Sequence, residues 1–189
     1  MLGRGNTREI NPMAKKQTLL SEIRKVQEKH GDFESMDLLI PDLSGILRGK
    51  RVRRGEFEKC CEGGFVFCAG ATMLNTLGQV VSGVPYGADD GDPDLPARLI
   101  PGSVAPVPWA SQLMGQAFFR ILAEDGGNFF GDPRAVLENA LQPLIKLGLK
   151  PVVATELEFY LLDAKSNKPR IGAPLIPGTD RPQPGTQVY

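Results

Sequence analysis

Apolar residues recur at Leu19, Leu20, Ile23 and Val26, a spacing that predicts an amphipathic helix over 17–30 with Gly31 as its stop. The next apolar run, 36–41, is short enough for a strand. Asp42-Leu43-Ser44-Gly45 carries turn chemistry, and 46–52 alternates well enough to be its hairpin partner. A helix over about 55–62, ending at Gly63-Gly64, and a third strand over 65–69 follow. Strand-like segments return at 99–101 and 116–122, the second closed by Glu124-Asp125-Gly126-Gly127. Asp132 then reads as an N-cap with Pro133 at the first helical position, and Val136, Leu137, Ala140, Leu141, Leu144, Ile145 and Leu147 mark an apolar face ended by Gly148. Pro143 inside that face predicts a kink or a late break.

After Gly148, the run Pro151-Val152-Val153-Ala154 leads into Thr155-Glu156-Leu157-Glu158-Phe159-Tyr160, which reads as a buried strand carrying two carboxylates. Strand alternation puts Glu156 and Glu158 on one face, roughly 6 to 7 Å apart at Cα, with Leu157 and Phe159 on the other. An unpaired ionised carboxylate in a core costs several kcal/mol, so such a pair suggests divalent cations. On alternation alone, the polar stripe of a half-solvated strand is the commoner meaning. Residues 165–189 are crowded with Pro and Gly and read as a loop-like tail. Residues 1–12 show no periodicity, which suggests a disordered arm or an upstream start ahead of Met13.

Two strands, a helix and further strands describe an α+β fold, a small mixed sheet with a helix across it. Between Gly70 and Pro108 the chain is too long for an ordinary connection, and long ordered loops tend to be functional. Its acidic run, Asp89, Asp90, Asp92 and Asp94, lacks the spacing and terminal Glu of a helix-loop-helix calcium site.

Composition narrows the partners. The 189 residues hold 22 basic and 22 acidic side chains, a balance that argues against a nucleic-acid or polybasic membrane surface. Arg48, Lys50, Arg51, Arg53 and Arg54 form the one basic cluster, interleaved as in a solvated strand and turn. No apolar stretch has the length of a membrane span and the N-terminus lacks a signal-peptide core, so a cytoplasmic location is expected. Cys60, Cys61 and Cys68 read as reduced thiols. His30 is the only histidine and sits at a helix end, which leaves no Ser-His-Asp triad or His-rich metal site to assemble beyond a capping role.

Four motifs in order, Asp42-Leu43-Ser44-Gly45-Ile46-Leu47-Arg48-Gly49-Lys50-Arg51, the loop around Asp92-Pro93-Asp94, Asp132-Pro133-Arg134 and Glu156-Leu157-Glu158-Phe159-Tyr160, resemble the N-terminal part of the glutamine synthetase family. The pattern is most similar to members that join glutamate to a polyamine such as putrescine. The resemblance runs from about Ser21 to Tyr189 and implies an arm over 1–16, a beta-grasp domain with an N-terminal helix over 17–125, and the incomplete start of a catalytic domain over 126–189. It implies an ATP-dependent ligase that activates the γ-carboxylate of glutamate as γ-glutamyl phosphate for attack by an amine or ammonia. It further implies Mg2+ or Mn2+ held partly by Glu156 and Glu158, and a homo-oligomeric ring in which one subunit's beta-grasp domain closes its neighbour's site. Phosphoryl transfer needs positive charge on the transferred group, and carboxylate oxygens suit hard cations.

One position departs from the family pattern. Ammonia-using members carry an Asp where Cys68 stands in Phe67-Cys68-Ala69-Gly70-Ala71, and a neutral residue cannot hold ammonium in that way, which favours a bulkier amine. A small buried hydrophobe or a one- or two-residue offset reads Cys68 equally well. The family's remaining ATP, glutamate and metal motifs are expected beyond Tyr189, so the chain is expected to be a fragment of a longer ligase, inactive by itself. The alternatives are glutamine synthetase proper, using ammonia, and an inactive beta-grasp interaction module.

Overall fold

Strand β1, Ser35–Pro41, alternates half-buried and buried side chains, so Met36, Leu38 and Ile40 enter the core while Asp37 and Leu39 face outward. The structure, a computed structural model, describes residues 12–160, 162, 167, 175–176 and 178–181, with side chains from residue 18 onward. Residues 1–11 of the expected arm and most of the tail after 162 lie outside the described residues.

β1 turns into β2, Leu47–Arg53, an antiparallel partner whose register sets Ser35 opposite Arg53 and Pro41 opposite Leu47. The turn is built on the buried Asp42 carboxylate, which accepts the Ser44 and Ile46 N–H groups at 2.9 and 2.8 Å. Gly45 completes it at φ 80°, a conformation that disfavours any side chain. Arg48 donates to the same carboxylate through Nε at 3.0 Å and a terminal nitrogen at 3.0 Å.

A 3-10 turn, Arg54–Glu56, leads into helix α2, Phe57–Glu62, which stops at Gly63-Gly64. β3, Phe65–Cys68, pairs antiparallel with β4, Asp94–Leu99, and β4 pairs antiparallel with β6, Gly115–Ile121. β6 takes β1 in parallel on its other side and the two-residue β5, Ala105–Pro106, beside its first residues. The sheet order is therefore β2-β1-β6-β4-β3 with β5 on β6, a mixed α/β arrangement. Alternation in β6 and β4 sends Ala117, Phe119, Ile121, Leu95, Ala97 and Leu99 into the core, where Phe65 and Phe67 each meet Phe119 edge-on at 5.0 Å. Helix α1, Pro12–His30, adds Leu19 and Ile23, and α2 adds Phe57, Cys60 and Cys61.

Two boundaries differ from the sequence pattern. α1 begins at Pro12, inside the expected arm, since proline suits a first helical position where its missing N–H has no role. The strand expected at 99–101 is instead β4, Asp94–Leu99. Its alternation of Leu95, Ala97 and Leu99 was masked by Pro93 and Pro96. Pro96 lies opposite Val66, and its carbonyl accepts the Leu122 N–H at 2.8 Å.

Helix α3, Pro133–Lys146, starts as expected: the Asp132 side chain accepts Arg134 N–H at 2.8 Å and Ala135 N–H at 3.4 Å. The same carboxylate accepts the buried Ile121 N–H at 2.9 Å, tying the end of β6 to the helix start. The helix runs through Pro143 and ends at Lys146, a late break of the kind that Pro143 predicts. It closes in a Schellman pair, Gly148 N–H to Ile145 O at 2.9 Å and Leu149 N–H to Leu144 O at 3.0 Å, with Gly148 at φ 73°. Among its residues Ala135 is buried, while Val136, Leu137, Leu144 and Ile145 are exposed. Asp132→Ala is expected to lower the urea-unfolding free energy by about 2 kcal/mol, the sum of a lost cap and a buried N–H left without an acceptor. Asp132→Asn should lose less, and a change within about 0.5 kcal/mol for the alanine variant would reject this role.

The chain divides into two compact units, Met1–Leu149 and Lys150–Tyr189.

Candidate functional site

Glu156 and Glu158 lie in the second unit, in a segment that the alternation predicts to be a buried strand. The structure corrects that expectation. Residues 151–160 carry no regular strand and are all exposed, with Val152 at 90% and Leu157 at 85% of full accessibility. A strand needs a neighbouring edge to take its N–H and C=O groups and a layer to cover its apolar side, requirements that alternation along one segment does not supply. Both carboxylates therefore stand in solvent, and neither makes an ion pair among the described residues. Two carboxylates supply hard oxygen donors but only part of the six or so ligands that a Mg2+ ion takes. Among the described residues no group of three or more His, Cys, Asp or Glu side chains is gathered for a metal.

Cys68 belongs to the first unit. It is the last residue of β3, half-buried, opposite Asp94 of β4, and carries a free thiol. Directly after it the chain enters a 3-10 turn, Ala69–Thr72, whose buried Thr72 hydroxyl donates to Ala69 O at 3.1 Å. Thr72 O accepts the Leu43 N–H at 2.9 Å, so the start of this loop is fastened to the β1–β2 turn.

Two acidic residues of the long loop, Asp89 and Asp90, serve the loop itself. Asp89 accepts the Gly83 N–H at 2.9 Å and the Ser82 hydroxyl at 3.2 Å, and these donors, the backbone N–H first, hold its pKa below the ordinary carboxylate value. Asp90 accepts the Tyr86 N–H at 2.8 Å. Tyr86 and Asp92 sit at φ 62° and 49°, left-handed conformations, the first anchored by the Asp90 carboxylate and the second by its own N–H, which donates to Gly87 O at 3.0 Å. The Tyr86 ring meets Phe129 edge-on at 5.4 Å, docking the loop beside the entry to α3.

Most of the basic cluster is neutralised locally. Arg48 pairs with Asp42, Arg51 with Asp37 at 2.7 Å, and Arg54 with Asp32 and Glu34 at 3.0 and 3.4 Å. Lys50 donates to Val66 O at 3.2 Å and lies over the Phe65 ring at 4.5 Å. Burial pushes the Cys60 thiol up and the Cys61 thiol up to about 11, which keeps both protonated and poorly nucleophilic.

A second basic group was invisible in the sequence. Arg98 on β4 and Arg120 on β6 are twenty-two positions apart but directly opposite each other in the sheet. Only the identification of β4 would have revealed the pair, and Pro96 within it and Pro93 just before it concealed that strand.

The family model described as "Glutamine synthetase, catalytic domain" matches residues 130–189. The gamma-glutamylputrescine synthetase of Escherichia coli is 36% identical over 169 residues, covering 89% of this chain and 36% of that protein. A gamma-glutamylethanolamide synthetase of Streptomyces coelicolor is 30% identical over 143 residues, 72% of this chain and 31% of the relative. A glutamine synthetase of Pyrococcus horikoshii is 30% identical over 128 residues, 67% of this chain and 25% of the relative. The chain thus spans no more than about a third of the length of these curated relatives. Among solved structures, a crystal structure of a novel glutamine synthase homolog superposes with a TM-score of 0.51 at 17% identity, covering 61% of this chain and 28% of that one, a likeness of fold. No helix among the described residues is long and apolar enough to cross a membrane.

Proposed function

We propose that this chain belongs to the glutamine synthetase family and is part of an ATP-dependent ligase that joins the γ-carboxylate of glutamate to an amine, through γ-glutamyl phosphate. The observation that carries this reading is the 36% identity to a gamma-glutamylputrescine synthetase along 89% of the chain. A polyamine such as putrescine is the proposed acceptor. The thiol at Cys68 supports it, since this position offers no carboxylate to hold ammonium.

In this reading residues 17–125 form a beta-grasp domain and 126–189 open the catalytic domain, a division supported by the family-model match over 130–189. Glu156 and Glu158 each hold a different Mg2+ or Mn2+ ion. The fit rests on two solvent-facing carboxylates, free of ion pairs among the described residues, with the oxygen donors that hard cations prefer. A cation bound there screens the phosphate charge during transfer. Glutamate and ATP complete the substrates, and the assembly is a cytoplasmic homo-oligomeric ring. The exposed apolar side chains of α3 and of 151–160 favour a larger assembly over a free-standing interaction module, because surfaces of this kind are normally covered.

The test is glutamate-dependent ADP release by the ligase that carries this chain, with putrescine and with ammonium as competing acceptors. Putrescine is expected to give a kcat/KM at least about tenfold above that for ammonium, equivalent to about 1.4 kcal/mol of transition-state discrimination. Turnover with ammonium alone would reject the amine reading in favour of glutamine synthetase proper.

A further inference from the structure

A cavity of the first unit, about 610 Å³, is lined by three arginines from three elements: Arg98 of β4, Arg120 of β6 and Arg134 of α3. Arg98 and Arg120 are cross-strand partners, and like charges directly opposite in a sheet destabilise it. The compensation inside the cavity is incomplete. Glu138 takes one Arg120 terminal nitrogen at 2.8 Å and shares the same oxygen with the Asn128 amide at 3.4 Å. The Arg120 Nε is buried and has no hydrogen-bond partner. Arg98 donates to the neighbouring Ala97 carbonyl at 3.1 Å, and neither it nor Arg134 forms an ion pair among the described residues. Glu62 is the other acidic side chain in the lining, so the wall carries three positive and two negative groups.

We propose that this cavity binds a small organic dianion, a dicarboxylate or phosphomonoester, held between Arg98, Arg120 and Arg134. Guanidinium forks match carboxylate and phosphate oxygens two bonds at a time, and the Arg98 and Arg134 guanidinium groups, without an ion pair among the described residues, are the ones a charged ligand would engage. Leu99, Ile100 and Leu122 line the same space and suit a short carbon body between or beside the charged ends. The volume lies within the range of metabolite-sized sites, which is larger than a bare inorganic anion requires.

Titration calorimetry on the full chain at fixed ionic strength tests this, with succinate and glycerol 3-phosphate as probes and chloride as the balancing anion. Saturable binding of at least one probe is expected, and whichever binds tighter assigns the anionic group. Arg98→Gln and Arg134→Gln should each weaken that binding about tenfold, the loss of one charge-assisted contact. Arg51→Gln, in the β1–β2 hairpin, should leave it unchanged. Neither substitution touches the Arg120–Glu138 pair, so the fold is expected to persist, with circular dichroism to verify it. No saturable binding of either probe by the folded wild-type chain, or binding that both arginine variants retain in full, would overturn the proposal.

Discussion

Glu156→Ala and Glu158→Ala, made singly in the ligase that carries this chain, are each expected to lower kcat/KM at limiting Mg2+ by about a hundredfold or more, with partial recovery at high Mg2+. The size of the effect follows from the donor chemistry: each substitution removes one anionic oxygen of the kind that hard cations prefer. Stability should barely move. Both side chains are exposed and make no ion pair among the described residues, and substitutions at such positions usually stay within about 0.5 kcal/mol. The combination of lost metal response with an unchanged melting temperature separates a ligand from a structural glutamate. Glu→Gln variants sharpen the comparison by keeping the shape while removing the charge. An unaltered Mg2+ dependence in both alanine variants would defeat the assignment.

Asp42→Ala is expected to be the most destabilising substitution in the β1–β2 hairpin, at about 3 kcal/mol in urea unfolding. Its buried carboxylate accepts two backbone N–H groups and two guanidinium nitrogens, and alanine leaves the Ser44 and Ile46 donors without that acceptor and Arg48 without its counter-charge. Burial works against the charged form of Asp42, but the Ile46 N–H, the Arg48 guanidinium and the Ser44 N–H outweigh it, holding the pKa below its usual value. A depressed folded-state pKa means that the unfolded chain binds the proton first on acidification. The contribution of Asp42 is therefore complete above the ordinary aspartate value near 3.9 and falls away as pH drops through the lower folded value. Asp42→Asn should consequently show a shallower loss of stability than the wild type below about pH 4. Equal acid slopes for the two proteins would contradict the assigned charge. Because Thr72 O is bonded to the Leu43 N–H, the damage should extend into the loop that follows Cys68.

The hairpin and α3 were legible in the residues because their signals are local. Turn chemistry at Asp42 to Gly45, and the Asp-Pro start and Gly stop around α3, act within a few residues, and the structure uses each of them. β4 was missed because two prolines and an acidic neighbourhood look like a loop when the pairing partner is unknown, although Leu95, Ala97 and Leu99 already alternate. The carboxylate strand failed in the opposite way. Its pattern suits a strand, but a pattern cannot supply the edge and the covering layer that pairing and burial require, and 151–160 carry no regular strand.

By itself, the sequence determined the resemblance to the glutamine synthetase family, the chemical character of the candidate residues Glu156, Glu158 and Cys68, and the local elements whose stops and starts are encoded in adjacent residues. Tertiary structure alone decided that β6 lies between β1 and β4, that Asp42 and Asp132 are buried acceptors joining elements, and that Arg98, Arg120 and Arg134 line one cavity. The physical reason is range. Capping and turn bonds span a few residues and are written in order along the chain. Strand pairing, burial and the meeting of like charges depend on segments that only the folded backbone brings together.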